Sequence, residues 1–438
     1  MTAVTNRRIV LAARPRGAAD LACFRLESEP LAALREGELL LRSVYLSLDP
    51  YMRGRMSDAP SYAPPVAVGE VMIGQTVSVV VASRHPNWHP GDRVLANSGW
   101  QEYEVSTGRS LLKLSADIEP PSYALGVLGM PGFTAFVGLL DIGKPQPGET
   151  VVVAAATGAV GSVVGQIGKL RGCRVVGIAG GADKCAWAVH ELGFDDCIDH
   201  RSAALESQLA AACPGGIDVY YENVGGKVFR AVLPLLNAHA RIPLCGLISQ
   251  YNEAPVQSPA DSAARLMRAI LVKRLAVRGF IITDGHEQRR PDFMHSMVGW
   301  LRAGKIKYRE HVVEGLESAP EAFLDMLAGR NFGKVVNELA PGASLDRDDM
   351  RLVVCRTASR LNYLAYVARC VLRRHWSVPG IDLAYSKNVS CAYLPATSGK
   401  GSDPTRKIYV EADGELLGTL PAEITVVPDA LTLLAPPR

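Results

Sequence analysis

The chain has 438 residues and a mass of 47.0 kDa, more than one compact domain usually holds. Hydrophobic residues at 48% and charged residues at 21% exclude general disorder and fibrous classes, and supply enough apolar surface for a sizeable core. The 47 Lys and Arg against 44 Asp and Glu leave a net charge of only +3, so the balance predicts no nucleic-acid partner.

The opening stretch, MTAVTNRRIVLAARPRG, carries charge but lacks the apolar centre of a signal peptide. Short β-like runs split by Gly and Pro follow at 38–48, 74–83 and 92–105, predicting a strand-rich, barrel-like or sandwich-like unit up to about residue 125. From 126 to about 280 the rhythm changes. Strands are predicted at 150–156, 173–180, 217–224 and 240–248, and helices at 160–172, 182–193 and 227–237. That alternation predicts an α/β fold with a parallel, doubly wound sheet. The apolar run 151–168 nearly reaches bilayer length, but its glycines, Thr157, Ser162 and Gln166 suit a buried strand, turn and helix better. A helix at 319–329 and a strand at 333–339 complete this part.

Residues 341–349, PGASLDRDD, form a candidate linker. Beyond it, residues 351–374 hold six arginines and no acid, and 361–374 has the pattern of a basic amphipathic helix. Such a helix either covers a sheet or lies on an anionic membrane surface. The closing stretch, 406–436, reads as strands joined by turns. Nine cysteines stand singly, with no CxxC, which predicts a reducing cytoplasm and neither a zinc ribbon nor a dithiol redox site.

The main chemical signal lies at 151–161, VVVAAATGAVG. A buried strand runs through small residues into a helix, with Gly158 and Gly161 bracketing Ala159 and Val160. Small residues let a pyrophosphate approach the backbone, and a helix N-terminus offers it unpaired amides. The fingerprint is incomplete, since Ala156 stands where a first glycine might be. The next strand ends at Gly180-Gly181 without the acid that would bind an NAD ribose, and Lys184 follows. A cation there suits a 2′-phosphate, so NADP(H) is the expected cofactor. Asp183 reads as a helix cap.

Five segments carry a family resemblance: 45–56 (YLSLDPYMRGRM), 128–135 (LGMPGFTA), 222–226 (ENVGG), 245–252 (CGLISQYN) and 329–336 (GRNFGKVV). Residues from about 8 to 338 resemble the zinc-independent medium-chain dehydrogenases/reductases, in the alkenal/alkenone and prostaglandin (leukotriene) reductase branch. The resemblance implies a Rossmann sheet at 126–299, a GroES-like β-rich catalytic domain at 1–125 with 300–340, and commonly a homodimer. It implies that Gly158, Ala159, Val160 and Gly161 cradle the pyrophosphate, and that Lys184 meets the 2′-phosphate. Asn223, Cys245, Gly246, Ser249, Tyr251, Phe280, Ile281, Ile282 and Asn331 would line the ribose and nicotinamide. His200 stands where the family usually has a tyrosine near the 2′-phosphate, which makes that contact pH-dependent; neighbouring Arg201 can compensate.

The ligand set and four-cysteine lobe of zinc-dependent relatives have no counterpart, and Gly285-His286-Glu287 is assigned to a loop. The implied reaction is NADPH-dependent reduction of the carbon–carbon double bond of an α,β-unsaturated aldehyde or ketone. Charge develops on the carbonyl oxygen, and a metal-free site needs a neutral donor there. A phenol stays protonated at neutral pH. The resemblance singles out Tyr251 as that donor, acting directly or through the cofactor ribose, and Tyr51 as a wall of the substrate pocket. A quinone reductase is the nearest alternative. Cys245 reads as a small buried residue rather than a nucleophile.

Residues 350–438 resemble another family, the β-rich C-terminal domain of diacylglycerol kinase-like lipid kinases, on 410–415 (VEADGE), 421–424 (PAEI) and 427–431 (VPDAL). The Gly-Gly-Asp-Gly signature of that family's nucleotide-binding half is absent from the chain, and Asp413 and Glu415 flank a hairpin glycine, Gly414. An adaptor role at lipid or membrane surfaces through this segment is the alternative from another class.

Overall fold

The computed structural model describes residues 5–115, 118–252 and 260–339, with backbone alone for 260–264 and for six strands between 350 and 425. The chain divides into two units, Met1–Pro341 and Gly342–Arg438.

The first unit opens with an antiparallel pair, β1 (Thr5–Leu11) and β2 (Phe24–Pro30). Next come β3 (Leu39–Ser47), the single-turn helix α1 (Met52–Arg55), β4 (Thr76–Ser83), β5 (Arg93–Ala96), β6 (Tyr103–Ser106) and β7 (Leu112–Lys113). The run 92–105 thus makes two strands rather than one, broken around Gly99, whose φ is +78°. Helix α2 (Met130–Val137) leads into the second sheet.

That sheet alternates strand and helix: β8 (Thr150–Ala154), α3 (Gly161–Leu170), β9 (Arg174–Ala179), α4 (Ala182–His190), β10 (Asp196–Asp199), α5 (Leu205–Ala212), β11 (Ile217–Tyr221), α6 (Gly226–Val232), β12 (Leu236–Leu244), α7 (Ala260–Lys273) and β13 (Ala276–Gly279). Its order is β10-β9-β8-β11-β12-β13, and every pairing is parallel. Counted from β8, this is 3-2-1-4-5-6, the Rossmann order, which reverses between β8 and β11. Every residue of β8 is buried, as a central strand covered on both faces requires. One core includes Phe133, Val163, Ile167 and Phe293; the other includes Leu209, Val228, Val232 and Ile242. The predicted helix 227–237 is cut short: α6 stops at Val232, a 3-10 turn carries Pro234, and Leu236 already starts β12. Proline's missing amide and fixed φ end the helix there.

Helix α8 (Arg290–Arg302), β14 (Glu310–Glu314), α9 (Ala319–Leu327) and β15 (Lys334–Glu338) return the chain to the β-rich part. Strand β15 pairs antiparallel with β3, completing a seven-stranded sheet from 39–113 and 310–338. The loop expected at Gly285-His286-Glu287 is found at Gly285 and His286, while Glu287 opens a 3-10 turn, Glu287–Arg289.

Among the described residues the second unit holds three antiparallel strand pairs: β16 (Met350–Cys355) with β17 (Ile381–Ser386), β18 (Asn388–Cys391) with β21 (Ala422–Thr425), and β19 (Tyr409–Ala412) with β20 (Glu415–Thr419). The linker 341–349, the helix 361–374 and the turn at Asp413-Gly414 lie outside the described residues. Among the described residues no helix is long and apolar enough to cross a membrane.

Candidate active site

The reversal of strand order between β8 and β11 leaves a crevice at the carboxyl ends of those strands. After β8 the chain turns sharply. Ala155 takes φ +52°, and Gly158 N–H donates to its carbonyl at 2.9 Å. A Cβ on Gly161 would sit 2.3 Å from that same carbonyl, so only glycine fits where α3 begins. The N-cap, Val160, provides no capping side chain. The first turn of α3 therefore faces the crevice as an uncapped, electropositive helix end, the local structure an anionic pyrophosphate fits.

After β11 the segment 222–226 is fixed by Glu222, whose Oε1 accepts from Val224 N at 2.7 Å and Gly225 N at 2.8 Å. The Asn223 side chain donates to Ala154 O at 2.8 Å, bridging the two strands that flank the reversal. A 3-10 turn, Ile248–Gln250, then hangs from this segment, with Ile248 N donating to Asn223 O and Ser249 N and Oγ to Val224 O. It delivers Tyr251, whose hydroxyl accepts from Leu247 N at 3.4 Å.

These pieces line one cavity of about 480 Å³. It gathers every residue that the sequence assigns to cofactor or substrate: Tyr51, Gly158, Ala159, Val160, Gly161, Lys184, His200, Asn223, Cys245, Gly246, Ser249, Tyr251, Phe280, Ile281, Ile282 and Asn331. Burial raises the Tyr251 phenol above its ordinary value, so it stays a donor at neutral pH. Burial, with Asp49 nearby, raises the Tyr51 phenol as well. The Cys245 thiol is pushed up to about 12 by burial, which keeps it protonated and unlike a nucleophile.

At the far end, Lys184 Nζ donates to Gly329 O at 2.8 Å, tying α4 to the segment before β15. Its ammonium is lowered by burial and by Arg201. His200 lies beside Gly180, and burial, then Lys227, lower its imidazole, so it is neutral at pH 7. Lys184, His200 and Arg201 all line the cavity. The cap assignment for Asp183 is corrected: Gly181 occupies the N-cap of α4, with φ +103°, and Asp183 sits inside the first turn. A left-handed backbone at the strand end demands glycine there.

Sequence reading did not single out Tyr62, which lines the cavity and stacks on Arg55 at 4.7 Å. Nor did it single out the pair Asp49–Lys334. Lys334 Nζ, 1% exposed, donates to Asp49 Oδ1 at 2.6 Å and Leu48 O at 2.8 Å, and both residues line the same cavity.

Comparison with known proteins accords with this geometry. The chain is 58% identical over 335 residues to the NADPH-dependent curcumin reductase of Escherichia coli (strain K12), covering 76% of this chain and 97% of the relative. The chain belongs to the zinc-independent medium-chain dehydrogenases/reductases. It is 41% identical over 317 residues to prostaglandin reductase 1 of Bos taurus, covering 72% and 93%. Among solved structures it is similar to CurA from Vibrio vulnificus in complex with NADPH, with TM-score 0.74, 58% identity, and coverage of 76% of this chain and 99% of that one. Residues 7–114 match the family described as the N-terminal domain of oxidoreductase, and 159–298 the family described as zinc-binding dehydrogenase. Among the described residues no three His, Cys, Asp or Glu side chains gather to hold a metal, so the residues present do not fit that family's zinc. Residues 304–435 match the YegS C-terminal NAD kinase beta sandwich-like domain. The fold is α/β, a Rossmann sheet with a GroES-like β-rich part and an appended β-rich domain.

Proposed function

We propose that this protein reduces the carbon–carbon double bond of α,β-unsaturated aldehydes and ketones with NADPH. The observation that carries the reading is that one cavity joins the uncapped glycine turn at 158–161 to two partly buried phenols, Tyr51 and Tyr251. When bound, NADPH would supply hydride to the carbon β to the carbonyl, and the resulting enolate takes a proton from water at its α carbon. The amides at 158–161 hold the pyrophosphate, and Lys184, His200 and Arg201 hold the 2′-phosphate. Asn223, Cys245, Gly246, Ser249, Phe280, Ile281, Ile282 and Asn331 line the ribose and nicotinamide. Tyr251 donates its hydroxyl proton in a hydrogen bond to the carbonyl oxygen, directly or through the ribose, as negative charge builds on that oxygen. Tyr51 walls the substrate pocket, and its apolar setting keeps water from competing for the donor.

On this reading residues 126–299 form the NADP-binding domain, 1–125 with 300–340 the catalytic domain, and 341–349 a linker. A homodimer through β13 accords with its position at the sheet edge and the exposure of all four of its residues.

The test is NADPH oxidation with a panel of 2-alkenals, enones and quinones, compared by kcat/KM. Enals and enones are expected to lead; faster turnover of quinones would make the protein a quinone reductase. Lys184→Ala is expected to weaken NADPH by about tenfold or more while leaving NADH nearly unchanged. Equal losses for the two would remove Lys184 from the 2′-phosphate.

A further inference from the structure

Arg53 lies in α1, two residues after Tyr51, and is only 6% exposed. Its Nε donates to Asn252 Oδ1 at 2.9 Å, and its Nη2 donates to Gly17 O at 2.6 Å. Asn252 directly follows Tyr251 and lies 199 residues from Arg53 in sequence. Both bonds of this buried guanidinium therefore go to neutral oxygens, and one of them crosses from the turn bearing the first phenol to the turn bearing the second. Burying a guanidinium without a carboxylate is costly, and a charge-assisted hydrogen bond offsets part of that cost only while its geometry holds. The planar fork is directional, so it fixes its acceptor more narrowly than an ammonium would.

Elsewhere the Tyr251 segment hangs from Asn223 and Val224 through Ile248 and Ser249, all on the N-terminal side of Tyr251. Among the described residues Arg53–Asn252 is the contact from the other side, so Tyr251 is held between two anchors. We propose that Arg53 and Asn252 are positioning residues: they form a tether that fixes the Tyr251 hydroxyl relative to the Tyr51 side of the cavity, and so set how well it meets the substrate carbonyl. This rests on the reading of Tyr251 as the donor. A displacement of the order of 1 Å at a reacting group can cost about a hundredfold in rate, so a partial loosening is expected to cost about tenfold.

The test uses the full-length protein and variants at position 252, which is only partly buried and leaves the Arg53 fork in place. Asn252→Leu, similar in size but without an acceptor, is expected to lower kcat for an enone about tenfold with NADPH Kd within about twofold of the parent. Asn252→Asp keeps an acceptor oxygen and is expected to retain kcat within about twofold. Arg53→Lys is expected to resemble Asn252→Leu, because an ammonium has no fork to span both acceptors. The deciding readout is the combination with Tyr251→Phe. If the tether acts through the hydroxyl, Asn252→Leu costs nothing further in that background; a general structural effect would multiply with it. Tyr251→Phe losing turnover while Asn252→Leu keeps at least half overturns the tether alone, as do multiplicative losses or failure of Asn252→Asp to rescue. Full turnover in Tyr251→Phe overturns the donor reading and the tether with it.

Discussion

At the scale of single residues, the proposed reaction places its chemistry on a phenol whose acid form does the work. Burial raises Tyr251 above its ordinary value of 10.0, so the protonated, donating form persists further into alkali. The alkaline fall of kcat due to this group is therefore expected above pH 10, and Tyr251→Phe is expected to lower kcat about a hundredfold with little change in NADPH Kd. A kcat profile falling near neutral pH and absent from Tyr251→Phe would place the phenol in the wrong ionisation state. His200 behaves in the opposite sense. Its imidazole is lowered from 6.5 by burial and by Lys227 and Arg201, and raised in part by Asp199, so it is neutral at pH 7 and gains charge as pH falls. NADPH affinity is expected to rise as pH falls below the ordinary imidazole value of 6.5, and more steeply in the parent than in His200→Tyr. The phosphate's own titration is common to both, so equal slopes would show that the imidazole does not face it. Tyr251 was legible through the family resemblance that the run 245–252 carries. Tyr62 was not, because it sits among Pro, Ser and Ala with no periodicity. Nor was the pair Asp49–Lys334, whose partners are 285 residues apart and carry no local mark of each other.

At the scale of elements, legibility followed apolar content. Strands β8, β9 and β11 are short apolar runs, and covering a parallel sheet on both faces makes such runs unmistakable. Strand β10 reads DCID and β14 reads EHVVE, too short and too polar to stand out, and their identity as strands comes from parallel neighbours β9 and β15. Helix packing was equally invisible until the backbones were placed. Gly165 in α3 meets the ring of Phe194, where a Cβ would lie 1.9 Å from Cζ. The ring is 2% exposed and has little room to retreat. Gly165→Ala is therefore expected to destabilise the first unit by about 1–3 kcal/mol despite alanine's better helix propensity, since overpacking outweighs a gain of about 1 kcal/mol. Thermal or urea unfolding measures this, and an unchanged or raised midpoint would mean that α3 shifts outward at no cost.

At the scale of the whole molecule, the two units have separate histories in the sequence. The match to the Escherichia coli relative covers 97% of that protein with 335 residues, and the first unit ends at Pro341. Every residue assigned to the cofactor, Tyr51 and Tyr251 falls within it. A chain of residues 1–341 is therefore expected to keep NADPH-dependent turnover within about twofold of the full protein, because a domain with its own core folds and works alone. The six arginines at 351–374, with no acid among them, are the feature of the second unit's sequence whose charge would suit an anionic lipid surface. Net charge on the whole chain is only +3, so attraction to anionic vesicles would have to come from that local cluster. The pattern at 361–374 suits a helix whose apolar face covers a sheet, and a face used in that way is not free to enter a bilayer. The full protein is accordingly expected to float with anionic vesicles no more than residues 1–341 do. Flotation that disappears with the second unit would instead make that unit a membrane contact joined to a reductase.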